Sequence, residues 1–290
     1  MKIPLSAIHH DRHGFLVLAG LHAQTADCFL DDVEIDMRAT DWLDADMCAA
    51  LGAILYGLED NLNTVRLTHI RPAVESILSK NGFLSHYGRT KVPDHWGTTI
   101  SYKRFDADDD RYFARYIEDE FIQRSEIPEM STGLRKKFCE SIFEIFSNAV
   151  LHSRTKLGIF SCGQFFPTRS KLDFCVADLG VGIQRNVHRH TGVDLAPEEA
   201  IEWATQANNT TKRGDVPGGL GLKLLCEFID LNGGSLQIVS DAGYWRRKNR
   251  RNNKARLRNA FPGTVVSVEI DTADRNSYRL SSELETDDIF

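Results

Sequence analysis

The segment from Ser131 to His152 constrains the fold more than any other part of this 290-residue chain. Ser131 or Thr132 can cap its start, and apolar residues then follow at helical intervals on two sides of the predicted helix. These apolar residues are Phe138, Ile142, Phe143, Ile145, Phe146, Ala149 and Val150. A helix that is apolar around most of its circumference must be buried on most sides, so the chain has to build further layers around it.

The remaining face of this helix is a polar stripe, formed by Glu140, Glu144, Asn148 and His152 at every fourth position. Burying such groups without partners would cost about 1–3 kcal/mol each. The stripe therefore faces either solvent or a polar ligand, and a metal ion with phosphate groups is a ligand of that kind.

A second segment, Lys171 to Ala177, predicts a buried strand that places Asp178 at its end. Gly180 and Gly182 follow, and glycine allows the backbone to approach a flat ligand closely. The Asp178 carboxylate can accept a hydrogen bond from an amino group. By itself this pattern is equally typical of an ordinary glycine-rich turn.

A third segment is glycine-rich and opens a helix: Gly218, Gly219 and Gly221 precede the apolar run that begins at Leu222. Such a turn presents free backbone N–H groups and the positive end of the helix dipole, which together favour an anion.

Taken in order, these three segments resemble the GHKL ATPases, the family of gyrase-type topoisomerases, heat-shock and mismatch-repair ATPases, histidine kinases and anti-sigma serine kinases. The resemblance covers residues 131–271 and implies an α/β sandwich that binds ATP and Mg²⁺. By the family's pattern, Asn148 would ligate Mg²⁺ and Asp178 would accept the adenine amino group. The resemblance also implies contacts with the base from Gly180 and Gly182, and contacts with the phosphates from Gly218, Gly219 and Gly221. A lid between Ile183 and Gly218 would contribute Thr211 and Lys212. Thr264 would support Asp178.

Glu144 bears on the chemistry because it lies one helical turn before Asn148, on the same face. Family members with a carboxylate there use it as a general base toward water or a protein hydroxyl, so Glu144 is the candidate catalytic residue. It is alternatively a structural partner of a neighbouring Arg or Lys. His152 resembles the histidine of the anti-sigma kinases, and is alternatively an exposed residue at a helix end.

The first hundred residues alternate strands and helices, which predicts a small α/β layer domain. We expect strands at His13–Gly20, Phe29–Met37, Thr64–Thr68 and Thr98–Phe105, and helices from Asp44 to Leu58 and from Pro72 to Leu78, the latter ended by Asn81-Gly82.

The stretches VEIDMRATDWLDADMCAALGAIL (33–55) and TVRLTHIRPAVESILSKNGF (64–83) resemble a STAS domain, the fold of anti-sigma-factor antagonists. That family has a phosphorylatable Ser before its helix, whereas Asp44-Ala45-Asp46 holds neither Ser nor Thr. Asp46 is then either a permanent negative charge in the place of a phosphate or simply a helix N-cap.

The predicted fold class is therefore α/β (α+β), with a STAS-like domain at 1–105 and a helical connector at 106–130. A GHKL ATP-binding domain follows at 131–271, with a basic insertion at 244–258, and a polar tail at 272–290 is expected to fray. Leu236–Ser240 and Val265–Ile270 are expected to be neighbouring strands around the insertion.

The insertion suits an acidic protein partner or nucleic acid, through Trp245, Arg246, Arg247, Arg250 and Arg251; a solvated basic loop is the alternative favoured here. A net charge of −6 argues against a chain that binds nucleic acid over its whole surface.

No apolar run reaches the ~18–20 residues that span a bilayer, and no signal-peptide core precedes the first domain, so we expect a cytosolic protein without membrane contact. The six cysteines form no C-x-x-C pair and are expected to be reduced and mostly buried. His9, His10 and His13 are expected to form an exposed group rather than a metal site.

These features predict an ATPase whose lid closure regulates a protein partner. The alternatives are a serine/threonine kinase of the partner-switching type and a nucleotide-sensing scaffold that binds nucleic acid. A phosphorelay histidine kinase is disfavoured, because no histidine-bearing dimerisation hairpin is evident before residue 131.

Overall fold

A computed structural model describes residues 1–206 and 220–283, with only the backbone of Leu220. The strands are β1 (Lys2–Pro4), β2 (Asp32–Asp36), β3 (Thr64–Thr68), β4 (Thr99–Phe105), β5 (Ile159–Phe166), β6 (Lys171–Asp178), β7 (Ser235–Lys248) and β8 (Arg251–Asp271). The helices are α1 (Arg12–Thr25), α2 (Cys48–Asp60), α3 (Pro72–Lys80), α4 (Asp110–Ile117), α5 (Thr132–Ser153), α6 (Ile183–Thr191), α7 (Pro197–Thr205) and α8 (Leu220–Asn232). The predicted mixture of helices and strands is confirmed. None of the helices in these two ranges combines the length and apolar character needed to cross a bilayer.

The N-terminal unit is a parallel sheet with strand order β1-β2-β3, and α1 and α2 connect its strands. The predicted strands at Phe29–Met37 and Thr64–Thr68 are confirmed, as are the helices that begin near Asp44 and at Pro72. The strand predicted at His13–Gly20 is wrong, because this segment forms the middle of α1.

The segment at α1 forms a helix and not a strand because it has both a capping residue at its start and apolar residues at helical spacing. Asp11 caps the start, and its carboxylate accepts a hydrogen bond from the Gly14 N–H at 2.9 Å. Phe15, Leu18 and Leu21 then fall three residues apart on one buried face. The Phe-Leu-Val composition suggested a strand, but this spacing has the helical period.

Two further expectations for the N-terminal unit are wrong. Asp46 is not a helix N-cap: it lies in a 3₁₀ turn, Ala45–Met47, before α2, with its carboxylate 2.8 Å from His10. His10 is buried rather than part of an exposed histidine group. All six cysteines are free thiols, as predicted, and Cys28, Cys48, Cys162 and Cys175 are buried.

The second sheet is antiparallel, with strand order β4-β5-β6-β8-β7. The pairing of β7 with β8 confirms that Leu236–Ser240 and Val265–Ile270 are neighbours. The segment Thr98–Phe105 was predicted as the closing strand of the first unit, but it forms β4, which pairs with β5 at the edge of this sheet. A strand at an edge needs only one partner, so its sequence does not indicate which sheet it joins.

The antiparallel sheet is buried on both faces. Leu172, Phe174 and Val176 of β6 pack with α4, α5 and α8 in one core. Cys175 and Ala177 of the same strand face the opposite way and join the core of the N-terminal unit, in which α1 and α2 lie against the sheet. The order of layers is therefore parallel sheet, helices, antiparallel sheet, helices.

The segments that flank α5 are ordered by local contacts. The predicted connector helix is α4, which continues into a π-helical turn at Glu118–Ile122. Ser131 caps α5, and its hydroxyl accepts a hydrogen bond from the Leu134 N–H at 3.1 Å. The tail predicted to fray docks here through residue 283: the Tyr278 carbonyl accepts the Ser131 N–H, and Glu283 accepts the Ser131 hydroxyl.

Because the two units share a core, we predict a single cooperative unfolding transition in urea. Phe160 of β5 is fully buried at this shared core, with its ring 5.6 Å from that of Tyr56 in α2. Phe160→Ala should therefore lower the free energy of unfolding by about 3–5 kcal/mol.

The matched control is Phe29→Ala. The Phe29 side chain is 62% exposed, so this substitution should change the free energy of unfolding by no more than about 0.5 kcal/mol. Two separated transitions in the wild-type protein, or equal effects of the two substitutions, would contradict a shared core.

Candidate functional site

The polar stripe of α5 divides into an exposed end and an end that lines a cavity. Glu140 is exposed and forms an ion pair with Lys137 at 2.9 Å. Glu144, Asn148 and His152 are half-buried and line the cavity. Of the two predicted alternatives, solvent applies to Glu140, whereas the other three side chains face a cavity that is open to a ligand.

The cavity lies between α5, the end of β6, the middle of β8, a residue of β7, and the helices α6, α7 and α8. Together with the solvent at its mouth it encloses about 950 Å³. Its apolar lining includes Val176, Ile238 and Val266 from three adjacent strands, and Leu222 from α8. A mostly apolar cleft with a few polar groups is typical of a small-molecule site.

Asp178 lies at the floor of this cavity and is only 4% exposed. Its Oδ1 atom has no hydrogen-bond partner among residues 1–206 and 220–283. Burial raises the pKa of Asp178 well above its usual range, and a hydrogen bond from the Thr264 backbone opposes this shift only in part. A buried carboxylate with an unsatisfied oxygen favours a ligand that brings a hydrogen-bond donor.

Thr264 lies directly opposite Asp178 in the pairing of β6 with β8, as its predicted supporting role requires. The support comes from the backbone, because the Thr264 hydroxyl contacts the Ser240 hydroxyl at 3.0 Å. A Cβ atom on the preceding Gly263 would overlap the Asp178 carbonyl oxygen. Glycine at this position therefore allows β8 to approach the end of β6.

Gly180 and Gly182 follow Asp178 at the cavity, and contacts within the protein account for both glycines. A Cβ atom on Gly180 would overlap the carbonyl of Ser153, the last residue of α5, and one on Gly182 would overlap the Asp241 carboxylate. We predicted that glycine is needed at these two positions so that the backbone can approach a ligand. Contacts with Ser153 and Asp241 give a second reason for glycine at both positions.

Glu144 lies at the N-terminus of α8, the helix that the glycine-rich turn opens. Its Oε2 atom accepts a hydrogen bond from the Gly221 N–H at 2.8 Å, and a Cβ atom on Gly221 would collide with this carboxylate. The predicted phosphate contacts Thr211, Lys212, Gly218 and Gly219 lie outside the residues that the structure describes.

Several cavity residues were not among the predicted ones. Asn186 of α6 donates a hydrogen bond to the His152 carbonyl at 3.0 Å and so fixes α6 against the end of α5. Trp203 of α7 also lines the cavity. The Ser240 hydroxyl accepts the Ile183 N–H at 2.9 Å and caps α6. Counting helical positions onward from Gly182 would have placed Asn186 on the cavity face.

The basic insertion is the outer half of the β7–β8 hairpin, which turns at Asn249 and Arg250. Trp245 is 1% exposed, so its predicted role as a stacking surface for a partner is wrong. Arg247 pairs with Asp230 of α8 at 2.6 Å, and the Arg250 N–H donates to the same carboxylate.

Other basic side chains of the hairpin also have partners within the protein. Lys254 binds Glu199 at 2.9 Å and Glu202 at 2.5 Å, and both glutamates belong to α7. Arg246 is half-buried, and Arg251 is exposed. The hairpin therefore uses Arg247 to hold α8 and Lys254 to hold α7, and both helices contribute residues to the cavity.

No family model matches this sequence, and a search of curated proteins finds no match either.

The raised pKa of Asp178 predicts a specific dependence of stability on pH. The folded protein retains a proton on Asp178 at pH values where the unfolded chain has lost it. The stabilisation due to this proton is complete at pH values below the pKa of Asp178 in the unfolded chain. It is lost as pH rises from that pKa through the raised pKa of Asp178 in the folded protein. Asp178→Asn should therefore raise the free energy of unfolding at pH 7 by about 1–3 kcal/mol.

This gain should shrink as pH falls from the raised folded-state pKa toward about 4, and it should be absent below that pH, where Asp178 is protonated in both states. Urea denaturation between pH 3.5 and 8 measures it, with the exposed Asp60→Asn as control. A gain that does not change with pH would contradict the origin assigned to it.

Proposed function

We propose that the chain binds Mg-ATP in this cavity and hydrolyses it. The observation that carries the proposal is the buried Oδ1 atom of Asp178, which has no hydrogen-bond partner within residues 1–206 and 220–283. It lies at the floor of a mostly apolar cleft, with Glu144 and Asn148 on an adjoining wall. One end of the cavity suits a flat base that has an amino group, and the other suits charged groups.

At the base end, Asp178 accepts the adenine amino group, and the apolar strand residues around it pack against the ring. This arrangement distinguishes ATP from GTP, because guanine has an oxygen acceptor where adenine has its amino donor. Two acceptors facing each other would leave the buried carboxylate unsatisfied, which costs binding free energy.

At the phosphate end, the start of α8 offers the positive end of its helix dipole to an anion. The Gly221 N–H, which was predicted to contact a phosphate, donates to the Glu144 carboxylate instead. Asn148 presents a side-chain amide to the cavity, and its oxygen suits the hard cation Mg²⁺. Mg²⁺ neutralises charge on the phosphates when it is bound.

The Glu144 carboxylate is the group that orients the nucleophile in this proposal. It lies one turn before Asn148 on α5 and is held next to α8 by the Gly221 N–H. From this position it accepts a proton from an attacking water, while Asp178 fixes the base at the far end of the cavity. Closure of a lid over the nucleotide then changes the surface offered to a protein partner.

The test is ATP binding and turnover by the purified chain. We predict that Glu144→Gln lowers kcat by about 10²- to 10⁴-fold while ATP still binds, because the substitution removes the base and keeps the shape. Glu140→Gln, one turn earlier and exposed, is the matched control and should leave kcat unchanged.

We further predict that Asp178→Asn weakens ATP binding by about 10- to 100-fold and reduces the preference for ATP over GTP. Calorimetric titration with each nucleotide measures both effects. The proposed function would be contradicted if the wild-type chain neither bound nor hydrolysed ATP. The proposed role of Asp178 would be contradicted if the wild-type chain bound ATP and GTP with equal affinity.

The second candidate is a serine/threonine kinase of the partner-switching type, favoured by His152, which shares the cavity wall with Glu144 and Asn148. Labelled ATP with candidate STAS-domain partners separates the two, since a kinase yields phosphoprotein and an ATPase yields free phosphate. Asp46 is fully buried, so its position on this chain does not offer an acceptor. A scaffold that binds nucleic acid through the hairpin is disfavoured, because Trp245 is buried and Arg247 and Lys254 are paired within the protein.

A further inference from the structure

A second cluster of polar side chains lies on the other face of the antiparallel sheet, at the core that the two units share. It joins His10, which precedes α1, Asp46 from the turn before α2, and Asp173 of β6. The His10 Nδ1 atom is 2.8 Å from Asp46 Oδ2 and 3.2 Å from Asp173 Oδ2. All three side chains are at most 1% exposed.

Most of the polar atoms in this cluster lack a hydrogen bond. His10 Nδ1, both carboxylate oxygens of Asp46 and Asp173 Oδ1 have no hydrogen-bond partner among residues 1–206 and 220–283. The two oxygens near Nδ1 lie within ion-pair distance of it, so the alternative to a bound metal is a protonated His10 that pairs with both carboxylates. Such an arrangement is typical of donor atoms that surround a cation, and burying it without one is costly.

The other ring nitrogen of His10 already has a partner. His10 Nε2 lies 2.9 Å from the Ser267 hydroxyl of β8, whose oxygen can accept a hydrogen bond from the Nε2–H group. Nδ1 of the neutral ring then directs a lone pair toward the two carboxylates. A metal-binding histidine commonly has its second nitrogen fixed in this way.

Among the residues that the structure describes, His10 is the one basic side chain that forms an ion pair with Asp46. Lys171 lies 2.7 Å from Asp173 Oδ2, and a second acidic side chain, Glu269, lies 3.7 Å from the Lys171 ammonium. Asp44, the acidic neighbour before the turn, is already satisfied by the Trp42 indole and the His10 N–H.

We propose that His10, Asp46 and Asp173 hold one divalent transition-metal ion, with Zn²⁺ as the best match, which fastens the N-terminal unit to the antiparallel sheet. One imidazole nitrogen and two carboxylates form a donor set that suits Zn²⁺ better than the harder Mg²⁺ or Ca²⁺. Asp46 has two unpaired oxygens and can supply the fourth donor atom. Because the three ligands come from segments far apart in sequence, the metal binds the folded chain and stabilises it.

The metal content of the purified full-length chain tests this proposal. Elemental analysis should find about one zinc ion per chain. A strong chelator should lower Tm by roughly 5–10 °C, and added Zn²⁺ should restore it, whereas Mg²⁺ should not. Replacement by Co²⁺ should give visible absorption bands of a site with nitrogen and oxygen ligands.

Asp46→Asn and His10→Gln should each abolish stoichiometric zinc. The matched control is Asp44→Asn, since Asp44 is equally buried but has its hydrogen bonds within the protein and should leave the zinc content unchanged. If the ligand variants fail to fold, the cobalt spectrum and the chelator response of the wild-type chain still decide the matter.

A wild-type chain without bound metal, whose Tm responds to neither chelator nor Zn²⁺, would overturn the proposal. Nitrogen NMR of His10 would then show a proton on both ring nitrogens. Burial lowers the pKa of His10, but the carboxylates of Asp173 and Asp46 raise it well above its usual value when no metal is bound. The site does not depend on the proposed ATP chemistry, because zinc content and Tm are measured without nucleotide.

Discussion

Burial of the antiparallel sheet on both faces is the constraint on which the rest of the structure depends. A sheet covered on one side leaves the other for solvent, yet here α5 and α8 cover one face, and α1 and α2 cover the other. Each strand then has to satisfy two environments in alternation. On β6 the same eight residues supply Phe174 to the helical core and Cys175 to the core of the N-terminal unit. The two units are for this reason parts of one hydrophobic structure.

Much of the fold followed from local sequence signals. Period and capping identified α5 from Ser131 onward, and the apolar run at Lys171 identified β6. The misassigned segments are ones where composition and period disagreed, as in α1, or where a partner strand is remote in sequence, as in β4. The sequence also gave no sign that the tail would dock on the start of α5, because a few specific bonds to Ser131 hold it.

The candidate site was predictable where spacing fixes geometry. Glu144 and Asn148 had to share a helical face, and the strand had to place Asp178 at its end. The spacing of residues does not indicate how deeply a side chain is buried. The burial of Trp245 and of His10 could not be predicted from the residues next to them in sequence, because segments distant in sequence pack over both side chains. The charges of the hairpin were also misleading, since Arg247 and Lys254 serve contacts within the protein.

The alternation along β6 has a genetic consequence. Asp173 and Asp178 lie on one strand, separated by an odd number of positions, and so they face opposite sides of the sheet. A single codon gained or lost between them would turn one carboxylate to the wrong side, whichever end of the strand moved to absorb it. Substitutions can alter either site separately, but insertions and deletions within this strand cannot. The length of β6 between these residues should therefore stay fixed in any descendant of this chain that retains both carboxylates, while its loops are free to change length.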